Sequence, residues 1–341
     1  MNYIGSKQTL LPFIDEVITL TTGNNITTFT DGFAGTGVVT DYFAKKYPKC
    51  HVHAGDIQSY STHVTMARTG SDISYDKILK YCDELNRIDG IEGFIFRTDA
   101  SDNVMYFTPD NAKKCDAIRQ QIEKWYQDGK ITYNEYSCLI GILVENVDKV
   151  ANTASIYGAF LKKYKKSALK SFTMIPFEFE ERIGSVNIQK KDVVEHIQML
   201  KTSPDLMLDG QHVLYLDPPY NERQYASYYH VLETIANYDS PTVKGMTRIR
   251  DWSSQKSKWC NKKTAKEELD ILIKESPHNH IYLSYNNEGI MTFDDIKEIF
   301  EKYGEYSVYE KEYNRYKADN NREYKSEKTI EYIHYCYKKN I

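Results

Sequence analysis

Between Ile26 and Asp56 the chain alternates in a pattern that few folds accommodate. Ile26 to Thr30 is rich in β-branched residues and reads as a short strand, closed by Asp31-Gly32-Phe33-Ala34-Gly35-Thr36-Gly37. A helix is expected from Val38 to about Lys46, stopped before Pro48, and His51 to Ala54 reads as a second strand ending at Gly55-Asp56. Strand, glycine turn, helix and strand make a βαβ unit, the building block of a parallel sheet. Ahead of it, Ser6 is expected to cap a helix whose apolar positions Leu10, Leu11, Ile14, Val17 and Ile18 share one face.

Strand–helix alternation then pauses. Asp110 to Gln127 has helical spacing at Ile118, Ile122 and Trp125, ended by Gly129, and Thr132 to about Val150 reads as a further helix. Alternation resumes at Val186–Gln189, Val213–Leu216 and Ile281–Ser284. Two longer strand patterns follow, about Tyr306 to Tyr313 and Ile330 to Tyr337, with Asn314 to Lys328 joining them as a hairpin. The count is seven strands in a mixed, mostly parallel sheet with an antiparallel edge strand, an α/β fold of Rossmann-like kind. Residues 1–59 and 182–341 are expected to form one domain, and 60–181 an inserted, mostly helical one.

Composition narrows the class. Among 341 residues, 41% are hydrophobic and 27% charged, which excludes a disordered chain. The longest apolar run, Cys138 to Val144, falls far short of the roughly 20 residues a membrane-spanning helix needs. The start of the chain has no basic stretch leading into an apolar one, so no secretory signal is expected. Six widely spaced cysteines without a CxxC pair suit a reducing cytoplasm. Cys50-His51-Val52-His53 has no second cluster with ligand spacing, so no metal is expected, and His278 and His280 are expected in a loop. The net charge of −4 means that any nucleic-acid surface must be local.

Two segments carry chemistry. The turn Phe33 to Gly37 lets backbone approach a ligand at a helix N-terminus. Asp56 falls 19 residues after Gly37, near the spacing at which an acid bonds a ribose hydroxyl. Position 40 is Thr, so the pyrophosphate form of the motif is incomplete, and a nucleoside without pyrophosphate fits better. The second segment, Asp217-Pro218-Pro219-Tyr220, follows the apolar strand Val213–Leu216 and therefore lies at the ligand edge of the sheet. Its prolines remove two donors, leaving a carboxylate, free carbonyls and an aromatic face, a site for a planar amine.

These residues resemble those of the DNA adenine-N6 methyltransferases, specifically the Dam-like alpha group, over nearly the whole chain. Tyr3-Ile4-Gly5-Ser6-Lys7 resembles the group's N-terminal cofactor motif, with Ser6 in place of a second glycine. Phe33-Ala34-Gly35-Thr36-Gly37 is similar to its F-x-G-x-G loop, Asp56 to its ribose-binding acid with Ile57 beside it, and Asp217 to Tyr220 to its catalytic DPPY. Asp192 resembles the acid that contacts the cofactor's adenine ring, although Asp205 and Asp209 lie in the same interval. The segments Leu283–Gly289 and Asn221–Tyr225 are also similar to parts of this group, and the order of motifs is that of the alpha group.

The resemblance implies an S-adenosylmethionine-dependent fold, with Tyr3, Gly5, Lys7, Phe33, Ala34, Gly35, Gly37, Asp56, Ile57, Asp192 and Asp217 toward the cofactor. It implies methylation of an adenine flipped out of a specific short double-stranded DNA site, with Asp217, Pro218, Pro219 and Tyr220 catalytic. The chemistry agrees: the adenine amine is a poor nucleophile until hydrogen bonds to the Asp217 carboxylate and the Pro218 carbonyl make its nitrogen more tetrahedral. Either a restriction–modification pair or an orphan or phage methylase would use it. A cognate endonuclease would then be a functional partner, and a monomer is expected because hemimethylated DNA needs one methyl at a time.

For DNA contact, Pro241 to Lys263 carries seven basic residues against Asp251 alone. Lys244, Arg248, Arg250, Trp252, Lys256 and Lys258 are candidates here, Arg223 just ahead of it, and Lys162 and Lys163 in a second cluster around Tyr164. Trp252, Trp259 and Tyr164 are candidates to stack on bases. A methyltransferase for RNA or a protein amide, and a catalytically silent DNA-binding subunit, remain open alternatives at this point.

Overall fold

The computed structural model describes residues 3–101, 103–179, 183–314 and 328–338. In chain order it runs α1 (Leu11–Thr22), β1 (Ile26–Asp31), α2 (Val38–Lys46), β2 (His51–Asp56), α3 (Ser59–Thr69), α4 (Tyr75–Asn86), α5 (Phe94–Asp99), α6 (Pro109–Gln127) and α7 (Tyr133–Lys149). There follow β3 (Val186–Lys190), α8 (Val193–Leu200), β4 (Gln211–Leu216), α9 (Tyr225–Tyr228), α10 (His230–Asn237), α11 (Lys262–Glu275), β5 (His280–Asn286), α12 (Phe293–Glu301), β6 (Glu305–Asn314) and β7 (Lys328–Tyr337).

The strands form one sheet in the order β3-β2-β1-β4-β5-β7-β6. The first five are parallel, and β7 runs antiparallel to both β5 and β6. The antiparallel strand is therefore second from the edge, not at the edge as expected. Burial explains the exchange: Glu331 and Ile333 to Cys336 of β7 are buried, whereas Glu305, Glu310 and Glu312 of β6 are exposed, which suits an edge. The connection expected between Asn314 and Lys328 lies outside the described residues.

Both faces are covered, as period-two alternation requires. Val213 and Tyr215 of β4 meet α1 and α2, while Leu214 and Leu216 meet α8 and α11. α1 begins at Leu11 with Leu10 at its cap position, so Ser6 does not cap it. A turn closed by Leu10 N–H to the Lys7 carbonyl at 2.9 Å intervenes, and it frees the Lys7 side chain to point inward.

α3 leaves β2 directly, lies against β2 and β3, and is covered by α7. The helices of 60–149 share a core with Tyr229, Val231, Leu232 and Ile235 around α10. Thr132 and Glu135 close a capping box at the start of α7. Gly141 allows α7 to touch α3: a Cβ there would sit 2.0 Å from the His63 carbonyl oxygen. Backbone cannot yield as a side chain can, so Gly141→Ala should cost about 3 kcal/mol. A lower urea midpoint with an unchanged slope would show it, and an unchanged midpoint would refute the tight contact.

Among the described residues, no helix is long and apolar enough to cross a membrane. All six cysteines are buried thiols. His278 lies in the loop between α11 and β5, as expected, but His280 is the first residue of β5; both are buried, His278 against Thr30 at 2.7 Å and His280 against Tyr335 at 2.8 Å. His51 and His53 both approach Asp205, at 3.7 and 3.4 Å.

Candidate active site

After β1 the chain moves to β2 and β3 on one side, and after β4 to β5 on the other. The carboxyl ends of β1 and β4 therefore flank the topological switch point, where an open α/β sheet leaves a crevice. A cleft of about 1000 Å³, open mouth included, lies there. Its lining brings together Tyr3, Gly5, Lys7, Phe33, Ala34, Gly35, Asp56, Ile57, Asp192 and Asp217 to Tyr220. Of the predicted cofactor residues only Gly37 stays outside. Its φ of +72° starts α2, and a Cβ would meet Thr65 Cα at 2.8 Å, so its requirement is for packing.

The glycine turn is tied to β2. Ala34 N–H donates to the Gly55 carbonyl at 3.0 Å and Gly35 N–H to Asp56 at 3.0 Å. Gln58 N–H donates to the other Asp56 oxygen at 2.9 Å. Burial nonetheless pushes the Asp56 carboxyl up to about 6, against these hydrogen bonds. A side chain on Gly35, whose φ is +54°, would meet the Tyr3 ring at 3.2 Å. Tyr3 stacks on Tyr229 with centroids 4.8 Å apart, and Ile4 N–H donates to the Tyr229 hydroxyl at 2.9 Å. These contacts hold the N-terminal segment over the cleft.

Lys7 reaches the Asp217 edge of the cleft. Its ammonium lies 2.9 Å from Asp217 Oδ1 and 3.1 Å from Glu331 Oε1, and 5.6 Å from the centre of the Tyr220 ring. Burial raises the Asp217 carboxyl to about 6, with Lys7 pulling it down and Glu331 pushing it up. Tyr220 sits edge-on to Tyr285, and its carbonyl accepts Ile290 N–H at 3.1 Å. The Leu283–Gly289 segment thus acts as a brace for Tyr220. Gln224 exchanges two hydrogen bonds with the Ser257 backbone, at 2.7 and 3.0 Å, tying Asn221–Tyr225 to the basic segment.

Asp192 caps α8 through Val194 N–H at 3.0 Å and lines the cleft. Asp205 pairs with the histidines below the sheet, and Asp209 lies beside Thr27 at the opposite end of β4, so neither reaches the cleft. Asp31 and Glu331 escaped the sequence reading. Asp31 is buried at the end of β1, accepts Thr40 Oγ1 at 2.7 Å, and is raised to about 7 by burial. Its signal was its place just before the glycine turn. Glu331 was visible only as an acid inside an apolar strand.

The basic candidates divide. Arg223, Lys244, Lys256, Lys162 and Lys163 are exposed, and Arg248 and Trp252 are half-buried. Arg250 forms a two-pronged ion pair with Asp239, at 2.6 and 3.0 Å, and Lys258 pairs with Glu268 at 2.7 Å. Trp259 is 1% exposed and packs edge-on against Phe33, so it cannot stack on bases. Tyr164 is half-buried, with its hydroxyl donating to the Phe107 carbonyl at 3.0 Å. Among the described residues, no group of three or more potential ligands is arranged to hold a metal.

A nucleoside-sized cleft opening onto a strand edge rich in acceptors suits transfer of a methyl group to an amino nitrogen. Comparison with known proteins sharpens the class. The model of the D12 class N6 adenine-specific DNA methyltransferases matches residues 3–299. The chain is 40% identical over 341 residues to Type II methyltransferase M.NlaIII of Neisseria lactamica, covering 98% of each. It is 31% identical over 323 residues to Type II methyltransferase M.CviAII of Paramecium bursaria Chlorella virus 1, covering 93% of each. Modification methylase StsI of Streptococcus sanguinis is 34% identical over 314 residues, 89% of this chain but 46% of that one. The chain belongs to the D12 class N6 adenine-specific DNA methyltransferases. It is an enzyme that methylates adenine N6 in DNA, which removes the RNA, amide and silent-subunit alternatives.

Proposed function

We propose that this enzyme takes its methyl group from S-adenosylmethionine and modifies one short double-stranded sequence as the modification half of a type II restriction–modification pair. The observation that carries the reading is the Asp217 carboxylate at the switch point, half-buried in the cleft and steered by Lys7. The cleft fits the cofactor: Asp56, fixed by two backbone N–H groups, is placed for a ribose, and side chains at Gly5 or Gly35 would meet Tyr225 or Tyr3. Asp192 and Phe33 flank the same space, and the carboxyls of buried Asp31 and half-buried Asp217 suit a cationic ligand. When bound, S-adenosylmethionine supplies an electrophilic methyl on a sulfonium.

The chain's own part is to prepare the amine. Asp217 and the Pro218 carbonyl accept hydrogen bonds from its two N–H groups, drawing the nitrogen lone pair out of the ring, and Tyr220 stacks on the extruded base. Asp217 must be ionised to accept, so the reaction loses rate as pH falls through about 6. Segment 60–181 is the proposed target-recognition region, and replacing it should move specificity without removing cofactor binding. The protein acts as a monomer in the cytoplasm, and the endonuclease is a functional partner.

The test is to incubate the protein with unmethylated DNA and S-adenosylmethionine and map modified bases by single-molecule sequencing. Methyladenine at one short motif supports the reading, and none sinks it. DNA contact has its own test. Replacing Lys162, Lys163, Lys244 and Lys256 with alanine should flatten the dependence of log affinity on log salt by about 3 to 4. An unchanged slope would exclude these lysines from the DNA surface.

A further inference from the structure

Lys7, the ammonium beside the catalytic carboxylate, is shared. Its second partner, Glu331, comes from β7, beyond the residues that the family model matches. The Glu331 side chain is 2% exposed, and its Oε1 also accepts the Ser284 hydroxyl from β5. Its other oxygen, Oε2, is buried without a hydrogen-bond partner. A buried carboxylate left half-satisfied is costly. A strand whose other inward residues are Ile333 and Tyr335 would gain from an apolar residue at 331 unless the charge has a use.

We propose that Glu331 is a positioning residue for methyl transfer, holding Lys7 between two carboxylates so that Asp217 keeps an acceptor site for the adenine amine. This rests on reading Asp217 as the acceptor of that amine. One ammonium facing two carboxylates leaves the group one negative charge in excess. Lys7 already holds one Asp217 oxygen, Oδ1, at 2.9 Å, and its second bond, to Glu331 at 3.1 Å, keeps it from swinging over to the other, Oδ2. With a neutral side chain at 331, Lys7 would be free to straddle both Asp217 oxygens and occupy the one that the amine needs.

The groups that face this pair are few. Lys7 comes from the N-terminal segment, Tyr215 from β4, Asp31 from β1, Tyr220 from the Asp217–Tyr220 turn and Tyr225 from α9, with Glu288 beside Tyr220. Lys311 of β6 is Glu331's register partner, but its ammonium lies over the Phe13 ring at 5.6 Å. Glu331 raises the Asp217 carboxyl through like-charge repulsion. Removing that charge must therefore lower the Asp217 midpoint, even as it slows the reaction.

The experiment compares wild type, Glu331→Gln, Glu331→Ala and Glu331→Asp. Single-turnover methyl transfer is followed from pH 5 to 9, and the Asp217 carboxyl is titrated by carbon-13 NMR, its signal assigned by loss in Asp217→Asn. Expected for the two neutral variants is a plateau rate down about tenfold and an Asp217 midpoint lower by at least about half a unit. Glu331→Asp should keep the wild-type midpoint. Two neutral replacements are used so that one that fails to fold leaves the other. A slower enzyme with an unmoved midpoint would make Glu331 merely structural and overturn the proposal. An Asp217→Asn protein with wild-type activity would instead overturn the reading of Asp217 beneath it.

Discussion

Asp217→Ala abolishes methyl transfer by about a thousandfold or more, far beyond any loss of cofactor affinity from removing one of the carboxylates beside the cationic ligand; this is the largest single effect expected from the geometry. Two losses coincide. The amine forfeits a charge-assisted hydrogen bond, and the group that draws its lone pair from the ring disappears. Removal of one pre-placed partner of a developing charge costs about 10²–10³ in rate elsewhere, and the charged acceptor adds to that. The fold should survive, because Lys7 retains Glu331 at 3.1 Å. Asp217→Asn is the sharper companion: it keeps the shape and one acceptor but no charge, so it should fall between the two. Transfer of labelled methyl in a single turnover, beside calorimetric binding of S-adenosylmethionine, measures both halves. Activity above about one-tenth of wild type in Asp217→Ala would remove the carboxylate from the mechanism.

The parts of this design that were legible in the sequence are those written in adjacent residues. Ile26–Asp31, the glycine turn and Val38–Lys46 carry their period and their stop signals locally, and they fold as read. Asp217-Pro218-Pro219-Tyr220 was equally plain, because the apolar strand before it fixes which end of the sheet it occupies. What was missed depends on partners distant in the chain. Trp259 looked like a stacking residue among lysines, yet Phe33, on another motif, buries it. Arg250 and Lys258 looked free until Asp239 and Glu268 closed on them.

The place of β7 was a different kind of miss. A hairpin can insert with either strand inward, and the choice follows burial rather than turn chemistry. The signal was present: Glu305, Glu310 and Glu312 mark β6 as the wet strand, while Tyr335 and Cys336 mark β7 as the dry one. Reading that contrast would have put β7 against β5. It would also have turned an unremarkable acid, Glu331, toward Ser284 and Lys7. Topology and chemistry here are one fact, since the strand order delivers a second carboxylate to the site.

Lys7→Met completes the argument by moving the site in the opposite direction from Glu331→Gln. It leaves Asp217 and Glu331 facing each other without their shared cation. Removing one partner from a buried ion pair costs about 3–5 kcal/mol when the remaining charge persists. The site can avoid much of that by protonating a carboxyl. Lys7 is what pulls the Asp217 carboxyl down against burial, so without it Asp217 must rise above its present value of about 6. At pH 7 most of the enzyme would then hold a protonated, non-accepting Asp217. Activity should fall about tenfold at that pH and recover toward pH 9, as ionisation returns. A parallel drop at every pH would show that Lys7 only supports the fold. An upward shift in Lys7→Met against a downward shift in Glu331→Gln cannot come from loosened packing, which has no sign. It requires that Asp217 be tuned by the cation and the anion that flank it.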